Sequence, residues 1–144
     1  AGFILTNTTV SRPDSLTSIH RGEAGGLSGQ PLAQRALKVL SEAAGHLKRS
    51  GAQDIVLIGA GGIGTAEQAY ARLLAGAGLL QIYTALALHG PHIVVNILSQ
   101  LRALIIADGA SAVSEIKGAY ASPEKALSHA AHIAKVAAET SEND

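Results

Sequence analysis

Residues 55–65 constrain the fold more than any other part of the chain. They begin with the apolar run Ile55-Val56-Leu57-Ile58, continue through Gly59-Ala60-Gly61-Gly62-Ile63-Gly64, and end at Thr65. A short apolar run bounded by turn residues predicts a strand that is covered on both faces. Thr65 is a favourable N-cap, and Glu67 suits the positive end of a helix. We therefore predict a buried strand, a glycine loop and a helix.

The same alternation is found on both sides of this segment. Strands are predicted at residues 3–6 and 79–84, and amphipathic helices at about 32–49, 65–75, 90–105 and 122–138. Strands that alternate with helices form a parallel sheet covered by helices, which predicts an α/β fold. Three strands leave the edges of such a sheet unpaired, so we expect the fold to be incomplete by itself.

Composition excludes several classes of function. The 144 residues include 11 basic and 11 acidic side chains, and only one Phe and three Tyr. A neutral chain with so few aromatic rings lacks the features on which nucleic-acid binding depends, so no nucleic-acid partner is expected. Without cysteine there is no disulfide and no thiolate nucleophile. No apolar run reaches the roughly 18 residues of a membrane span, and no signal peptide is visible.

The first residues predict that the chain is part of a longer one. The sequence contains no Met, and its first β-favouring run starts at Phe3 without a polar lead-in. A processed N-terminus also fits this observation.

Residues 59–64 are the strongest candidate for a binding site. Glycines between a strand and a helix N-terminus let backbone N–H groups approach a phosphate closely. Phosphate sites in β/α barrels are often built from the loops after two neighbouring strands, and the next strand is predicted to end at Tyr83-Thr84. The same glycines also suit a tight turn in which glycine serves packing alone.

The spacing of Gly59, Gly61 and Gly64 also matches the G-x-G-x-x-G pattern of dinucleotide-binding domains. That fold expects an acidic residue about 20 positions later, at the end of the next strand. Residues 79–91 contain no Asp or Glu. An NAD-type dinucleotide domain is therefore possible but weakened as an explanation of the glycine loop. A non-catalytic half-barrel that binds phosphate is a further alternative.

Two further segments suit a ligand. Thr6-Asn7-Thr8-Thr9 follows the first strand with amide and hydroxyl groups that fit a flat polar ring, although such a segment alone is more typical of a turn. Gly25-Gly26-Leu27-Ser28-Gly29 lies in a long loop, and its glycines favour either close packing on a ligand or a mobile lid.

The histidines do not predict a metal site. His129 and His132 are three apart on a predicted helix, but no third ligand is nearby in sequence. We expect these two, His20 and His46 to be solvated. No Ser-His-Asp order and no carboxylate pair is visible, so no catalytic residue is predicted in this chain.

Taken in order, these motifs resemble the quinone-linked (class 2) dihydroorotate dehydrogenases. The resemblance is carried by residues 6–13, 25–32, 57–63 and 81–84, with Thr65, Ala69, Gly76-Ala77 and Gly90-Pro91 at matching positions. It is sharp from residue 2 to residue 91, extends to about Gly118 and fades beyond Ser122.

The resemblance implies an eight-stranded β/α (TIM) barrel that holds FMN at its C-terminal mouth. Residues 1–121 would supply strands six to eight, and residues 122–144 would form a C-terminal helical extension and tail. The implied FMN-binding residues are Thr6, Gly29, Gly62, Tyr83 and Thr84, of which the last three surround the phosphate. The implied orotate-binding residues are Asn7 and Thr8.

The implied reaction is the FMN-dependent oxidation of dihydroorotate to orotate in de novo pyrimidine biosynthesis, with a membrane quinone as electron acceptor. In this family the serine base, a lysine-bearing strand and the N-terminal membrane-associated helices lie in a part that nothing in this chain matches. We therefore expect the chain to need the complementary N-terminal half of the barrel and to be inactive alone. The resemblance also implies a peripheral location at a bacterial or mitochondrial inner membrane.

Overall fold

The computed structural model describes residues 1–141, and its centre is a parallel sheet. The sheet contains three strands in chain order, β1 (Gly2–Leu5), β2 (Val56–Ala60) and β3 (Leu79–Gln81). Phe3 lies opposite Leu57, and Gly59 lies opposite Leu80. Because the strands are parallel, their carboxyl ends meet at one edge of the sheet. The predicted α/β class with a parallel sheet is confirmed.

Helices connect and cover the strands. Within the described residues they are α1 (Ala33–Ser50), α2 (Ala66–Leu74), α3 (Thr84–His89), α4 (His92–Ala107), α5 (Val113–Ile116) and α6 (Pro123–Ser141). A 3-10 turn over Gln30–Leu32 leads into α1. α1 ends at Gly51, whose φ of 72° is left-handed, and α2 begins at Thr65, whose hydroxyl accepts the N–H of Gln68 at 3.3 Å. The end of α1 and the start of α2 agree with the helices predicted from the sequence at about 32–49 and 65–75.

The core lies between the sheet and the helices, with α2 at its centre. Seven of the nine residues of α2 are buried. α6 packs against α2 and α4 through the buried side chains of Ala126, Ala130 and Ile133. α6 also continues to Ser141, beyond its predicted end near residue 138, and the last residues of the predicted tail, 142–144, lie outside the described residues.

The third strand is shorter than predicted. β2 leaves the sheet at Gly61, where φ is 93°, and the last residues that pair are Ala60 and Gln81. Ile82 therefore has no neighbouring strand to pair with, despite its β-favouring side chain. Thr84 starts α3 instead of ending a strand, because the Ala and Leu residues that follow favour a helix. α3 and α5 were both missed by the sequence prediction.

Part of the sheet is uncovered. The side chains of Phe3, Ile4 and Leu79 are 55%, 60% and 57% exposed. β1 and β3 each pair on one side within the described residues. Parallel sheets are normally covered on both faces, so these exposed apolar side chains are unusual for a sheet of this kind.

Candidate cofactor-binding cleft

A cleft of about 420 Å³ opens at the carboxyl edge of the sheet. Its walls come from four segments: the residues after β1, the glycine-rich loop before α1, the turn after β2, and the residues that join β3 to α3. All the residues predicted to contact a ligand line it: Thr6, Asn7, Thr8, Gly29, Gly62, Tyr83 and Thr84. The predicted meeting of the segments after β2 and β3 is therefore observed, and the roles of these residues stay predictions.

The turn after β2 is held at both ends by side chains of α2. The carbonyl oxygen of Gly61 accepts a hydrogen bond from Arg72 Nη2 at 2.5 Å. The N–H of Gly64 donates to Gln68 Oε1 at 2.9 Å. Between these ends, the N–H groups of Gly62 and Ile63 donate to no acceptor within residues 1–141. The turn thus offers two adjacent donors in the wall of the cleft.

Gly62 is required by the packing of the turn against α1. Its φ is 66°, and a side-chain carbon added there would lie 2.4 Å from the Cα of Ala33. At Gly61 an added carbon would lie 2.7 Å from Leu32 Cδ2. The side-chain positions of these two glycines therefore face Leu32 and α1, so the lack of a Cβ there does not make room for a phosphate. Packing against Leu32 and α1 explains why residues 61 and 62 are glycines. The free N–H groups of Gly62 and Ile63 explain why the turn can bind an anion.

Arg72 is a buried cation that the sequence analysis missed. It is 1% exposed and donates to the main-chain oxygens of Gln68, Ala33 and Gly61. It forms no ion pair with any carboxylate of the described residues. Burial lowers the pKa of Arg72 to about 10, because the charged form loses its water. The available signal was an arginine inside the otherwise apolar run of α2.

Thr6 carries a buried hydroxyl that lacks a partner. Its N–H donates to Ala60 O at 3.3 Å, which fixes Thr6 beside the end of β2. Its Oγ1 is buried and bonds to no atom of the described residues. An unsatisfied buried hydroxyl is costly. A polar atom of a ligand in the cleft would satisfy it.

Asn7 and Thr8 lie in the cleft wall without regular secondary structure. Asn7 Oδ1 accepts the N–H of Thr8 at 2.8 Å. The NH₂ group of the Asn7 side chain bonds to no acceptor within residues 1–141 and remains available. Thr8 lies against the glycine-rich loop, because a carbon added to Gly26 would be 1.9 Å from Thr8 Oγ1.

The glycine-rich loop is attached to the cleft. Thr9 and Leu27 exchange two backbone hydrogen bonds of 3.0 and 2.7 Å. A side-chain carbon added to Gly29, whose φ is 77°, would lie 3.1 Å from Thr84 Cγ2. These contacts fix both ends of the loop to the walls of the cleft.

Arg12 ties together the long segment that precedes this loop. Its guanidinium donates to the carbonyl oxygens of Arg21, Glu23 and Gly25 at 3.0, 2.9 and 2.8 Å. Three backbone positions spread over five residues are thereby fixed to one side chain, which orders a segment that lacks regular secondary structure.

A second polar cluster lies away from the cleft. The Tyr70 hydroxyl donates to one carboxylate oxygen of Asp108, and His129 Nε2 lies 2.9 Å from the other. The prediction that His129 is solvated was wrong, because its side chain is only 23% exposed. Burial, followed by the hydrogen bond to Asp108, raises the pKa of Tyr70. The cluster joins α2, the end of α4 and α6.

Residues 1–141 contain neither a metal-ligand cluster nor a membrane-spanning helix. No group of three or more His, Cys, Asp or Glu residues there could hold a metal ion. No helix in that range combines the length and the apolar character needed to cross a bilayer.

Known proteins resemble this chain over most of its length. The family model for dihydroorotate dehydrogenase matches residues 1–105. The dihydroorotate dehydrogenase (quinone) of Rhodospirillum rubrum is 51% identical over 118 residues, which are 82% of this chain and 31% of the relative. That of Azorhizobium caulinodans is 48% identical over 118 residues, or 82% of this chain and 32% of the relative.

Solved structures lead to the same family. The dihydroorotate dehydrogenase of Eimeria tenella in complex with ferulenol has a TM-score of 0.74 and 35% identity, over 81% of this chain and 30% of that one. Its ligand-free form has a TM-score of 0.75 and 36% identity, over 82% of this chain and 32% of that one. The chain thus spans about a third of the length of the relatives that it matches. From its sequence and its fold alike, the chain belongs to the dihydroorotate dehydrogenase family.

Proposed function

We propose that this chain supplies the FMN-phosphate site and part of the orotate site of a quinone-dependent dihydroorotate dehydrogenase. The observation that carries the proposal is the single cleft at the carboxyl edge of the sheet. Four segments that are far apart in sequence meet there, and each contributes a residue with a predicted role. Ligand sites of β/α barrels lie at this edge of the sheet.

The walls of the cleft fit a phosphate group. The N–H groups of Gly62 and Ile63 are free, and those of Tyr83 and Thr84 likewise donate to no acceptor within the described residues. Backbone donors next to helix starts favour an anion. No Asp or Glu of the described residues lines the cleft, so no carboxylate there would repel a phosphate.

The rest of the cleft fits a flat polar ligand. The unsatisfied Thr6 hydroxyl would accept or donate one hydrogen bond to the flavin ring, and Gly29 would approach it through its backbone. The free NH₂ of Asn7 and the hydroxyl of Thr8 would hold the orotate ring. The cleft volume is within the range of about 300–1,000 Å³ that is usual for small-molecule sites.

The residues of this chain would bind and orient FMN and dihydroorotate, and FMN would supply the redox chemistry. FMN, when bound, accepts the hydride that dihydroorotate releases as it becomes orotate. The titratable side chains of the cleft are Tyr83 and His89 within the described residues, and neither is proposed as the base. We assign the base to the complementary N-terminal half of the barrel, and we propose no catalytic residue among residues 1–141.

The remaining parts of the proposal follow from the family. β1, β2 and β3 would be strands six, seven and eight of a TIM barrel, within residues 1–121. Residues 122–144 would be a C-terminal extension. The complementary half would pack against the exposed side chains of Ile4 and Leu79 on one face of the sheet and of Phe3 on the other. The enzyme would act in pyrimidine biosynthesis and pass electrons to a quinone at a membrane surface.

The dinucleotide alternative has less support. A Rossmann domain places an acidic residue at the end of the strand after the glycine turn, where it holds the ribose. Here that strand ends at Gln81. The turn is also built for contact with α1, which precedes β2 in the chain.

A chimera tests the proposal. The full chain is fused behind the part of the Rhodospirillum rubrum relative that precedes its matched segment, and the unmodified relative is the control. We expect the purified chimera to retain FMN, seen as flavin absorbance, and to lose that absorbance when dihydroorotate is added.

The other outcomes contradict the proposal. Retained nicotinamide in place of flavin would support the dinucleotide domain. A folded chimera that binds neither cofactor would support the non-catalytic half-barrel.

A further inference from the structure

Two side chains of α2 act together on the glycine turn after β2. Gln68 and Arg72 are four residues apart and therefore lie on the same side of the helix. Gln68 holds the N–H of Gly64 at 2.9 Å, and Arg72 holds the carbonyl of Gly61 at 2.5 Å. We name this pair the α2 clamp. It fixes both ends of the turn and leaves the N–H groups between them free.

The clamp residues are themselves fixed. The Gln68 side chain forms two amide hydrogen bonds with Gln30, at 3.1 and 2.7 Å. Arg72 Nη1 donates to Gln68 O at 2.9 Å, and Nη2 also reaches Ala33 O at 3.3 Å. Because guanidinium is a planar fork, these bonds fix the direction of the Gly61 carbonyl. The peptide groups that follow Gly61 are oriented with it.

The charge of Arg72 has no carboxylate partner within the described residues. A buried charge that only carbonyl oxygens solvate is expensive. An anion held by the N–H groups of Gly62 and Ile63 would provide the missing counter-charge. A cation behind the turn would in turn strengthen the binding of that anion.

We propose that Gln68 and Arg72 are positioning residues that orient the Gly62 and Ile63 N–H groups for a phosphate monoester. They would thereby determine how strongly the cleft prefers the phosphorylated flavin FMN to riboflavin, which lacks the phosphate. This inference rests on the proposed function of the cleft and adds to it two residues that touch neither ligand.

The test compares two affinities in the same protein. Dissociation constants for FMN and riboflavin are measured by flavin fluorescence in the chimera and in its Arg72→Met, Arg72→Lys and Gln68→Leu variants. We expect the preference for FMN to fall about tenfold in Arg72→Met and Gln68→Leu, which corresponds to the loss of about one hydrogen bond from a turn N–H group to the charged phosphate. Arg72→Lys, which keeps the charge, should restore part of the preference.

Matched controls separate the clamp from general effects. Arg49→Met removes an exposed arginine of α1, and Gln100→Leu an exposed glutamine of α4. Both should leave the preference unchanged. If Arg72→Met does not fold, Gln68→Leu and Arg72→Lys still decide the question.

The outcomes distinguish the clamp from the proposed function. Equal losses of FMN and riboflavin affinity would mean that Gln68 and Arg72 merely support the fold, and the clamp would be overturned while the cleft stood. A wild-type chimera that binds neither flavin would overturn the proposed function and the clamp together.

Discussion

The hydroxyl of Thr84 donates a hydrogen bond to the hydroxyl of Ser28 at 3.0 Å, which joins the first residue of α3 to the glycine-rich loop. The two residues are 56 positions apart in sequence. This bond connects two walls of the cleft, so a change at Thr84 is expected to affect both the phosphate site and the loop.

Thr84→Val should weaken FMN binding in the chimera without unfolding it. Valine keeps the shape of threonine and removes the hydroxyl, so Ser28 loses its partner and the loop loosens. Hydrogen exchange at Leu27 should accelerate. Thr140→Val on α6 is the control, because its hydroxyl bonds only to Val136 O of the same helix. Unchanged exchange at Leu27 in Thr84→Val would show that the bond does not hold the loop.

Asn7→Ala should spare FMN and sharply reduce dihydroorotate turnover. The Asn7 side chain has a free NH₂ group in the cleft, while the proposed phosphate site lies at the other strand ends. Losing a hydrogen bond to a polar ring lowers kcat/KM by about tenfold or more. Steady-state kinetics at full flavin occupancy measure this effect. Kinetics equal to those of the parent chimera would remove Asn7 from the substrate site.

Gly62→Ala should destabilise the fold more than Gly51→Ala. Both glycines have positive φ values, 66° and 72°, so both substitutions carry backbone strain. Only the carbon added at Gly62 meets neighbouring atoms, at 2.4 Å from Ala33 Cα, whereas nothing lies within 4 Å at Gly51. Crowding of this kind adds roughly 1–3 kcal/mol, which chemical denaturation would measure. Equal losses would show that α1 yields to the extra carbon.

Tyr70→Phe should loosen the attachment of the end of α4 to α2. The variant removes the hydrogen bond to Asp108, which follows α4, and bonds to charged groups contribute about 1.5–3 kcal/mol. Hydrogen exchange at the end of α4 should accelerate accordingly. Tyr83→Phe is the control, since Tyr83 is 77% exposed and its hydroxyl has no partner within residues 1–141. Equal exchange in both variants would argue against the attachment.

The Tyr70 bond also predicts a pH dependence. The pKa of Tyr70 is raised in the folded chain, from 10.0 in the unfolded one. Its contribution to stability is therefore fully present below pH 10 and is lost as the pH rises above it. The stability difference between the wild type and Tyr70→Phe should shrink between pH 10 and pH 11. A difference that stays constant over this interval would contradict the raised pKa.

Arg12→Met should expose the segment before the glycine-rich loop to proteolysis while the core stays folded. Without the guanidinium, the carbonyls of Arg21, Glu23 and Gly25 lose their shared donor. Thermolysin should then cut faster beside Ile19, which is 93% exposed. Arg102→Met on α4 is the control. Equal cutting rates in both variants would mean that Arg12 does not order the segment.

The sequence predicted those features that depend on local pattern. The apolar run before Gly59 and the cap at Thr65 are local signals, and the structure places β2 and α2 accordingly. The meeting of Gly62 and Thr84 in one cleft follows from parallel topology, which the alternation of strands and helices already implies.

The features that were missed depend on distant partners. β3 stops at Gln81 because β2 turns away at Gly61, and no local signal near Ile82 reveals that. His129 is half-buried because Asp108 lies beside it, 21 positions earlier in sequence. Arg72 interrupts the apolar run of α2, but only its contact with the glycine turn shows what the side chain does.

The exposed side chains of Phe3, Ile4 and Leu79 have a consequence for the life of the chain in a cell. Because Ile4 and Leu79 lie on one face and Phe3 on the other, apolar side chains are exposed on both faces of the sheet, beside strand edges that do not pair within residues 1–141. Exposed apolar surface next to an unpaired edge promotes aggregation and chaperone binding, so we expect the yield of folded chain to rise when another segment covers it.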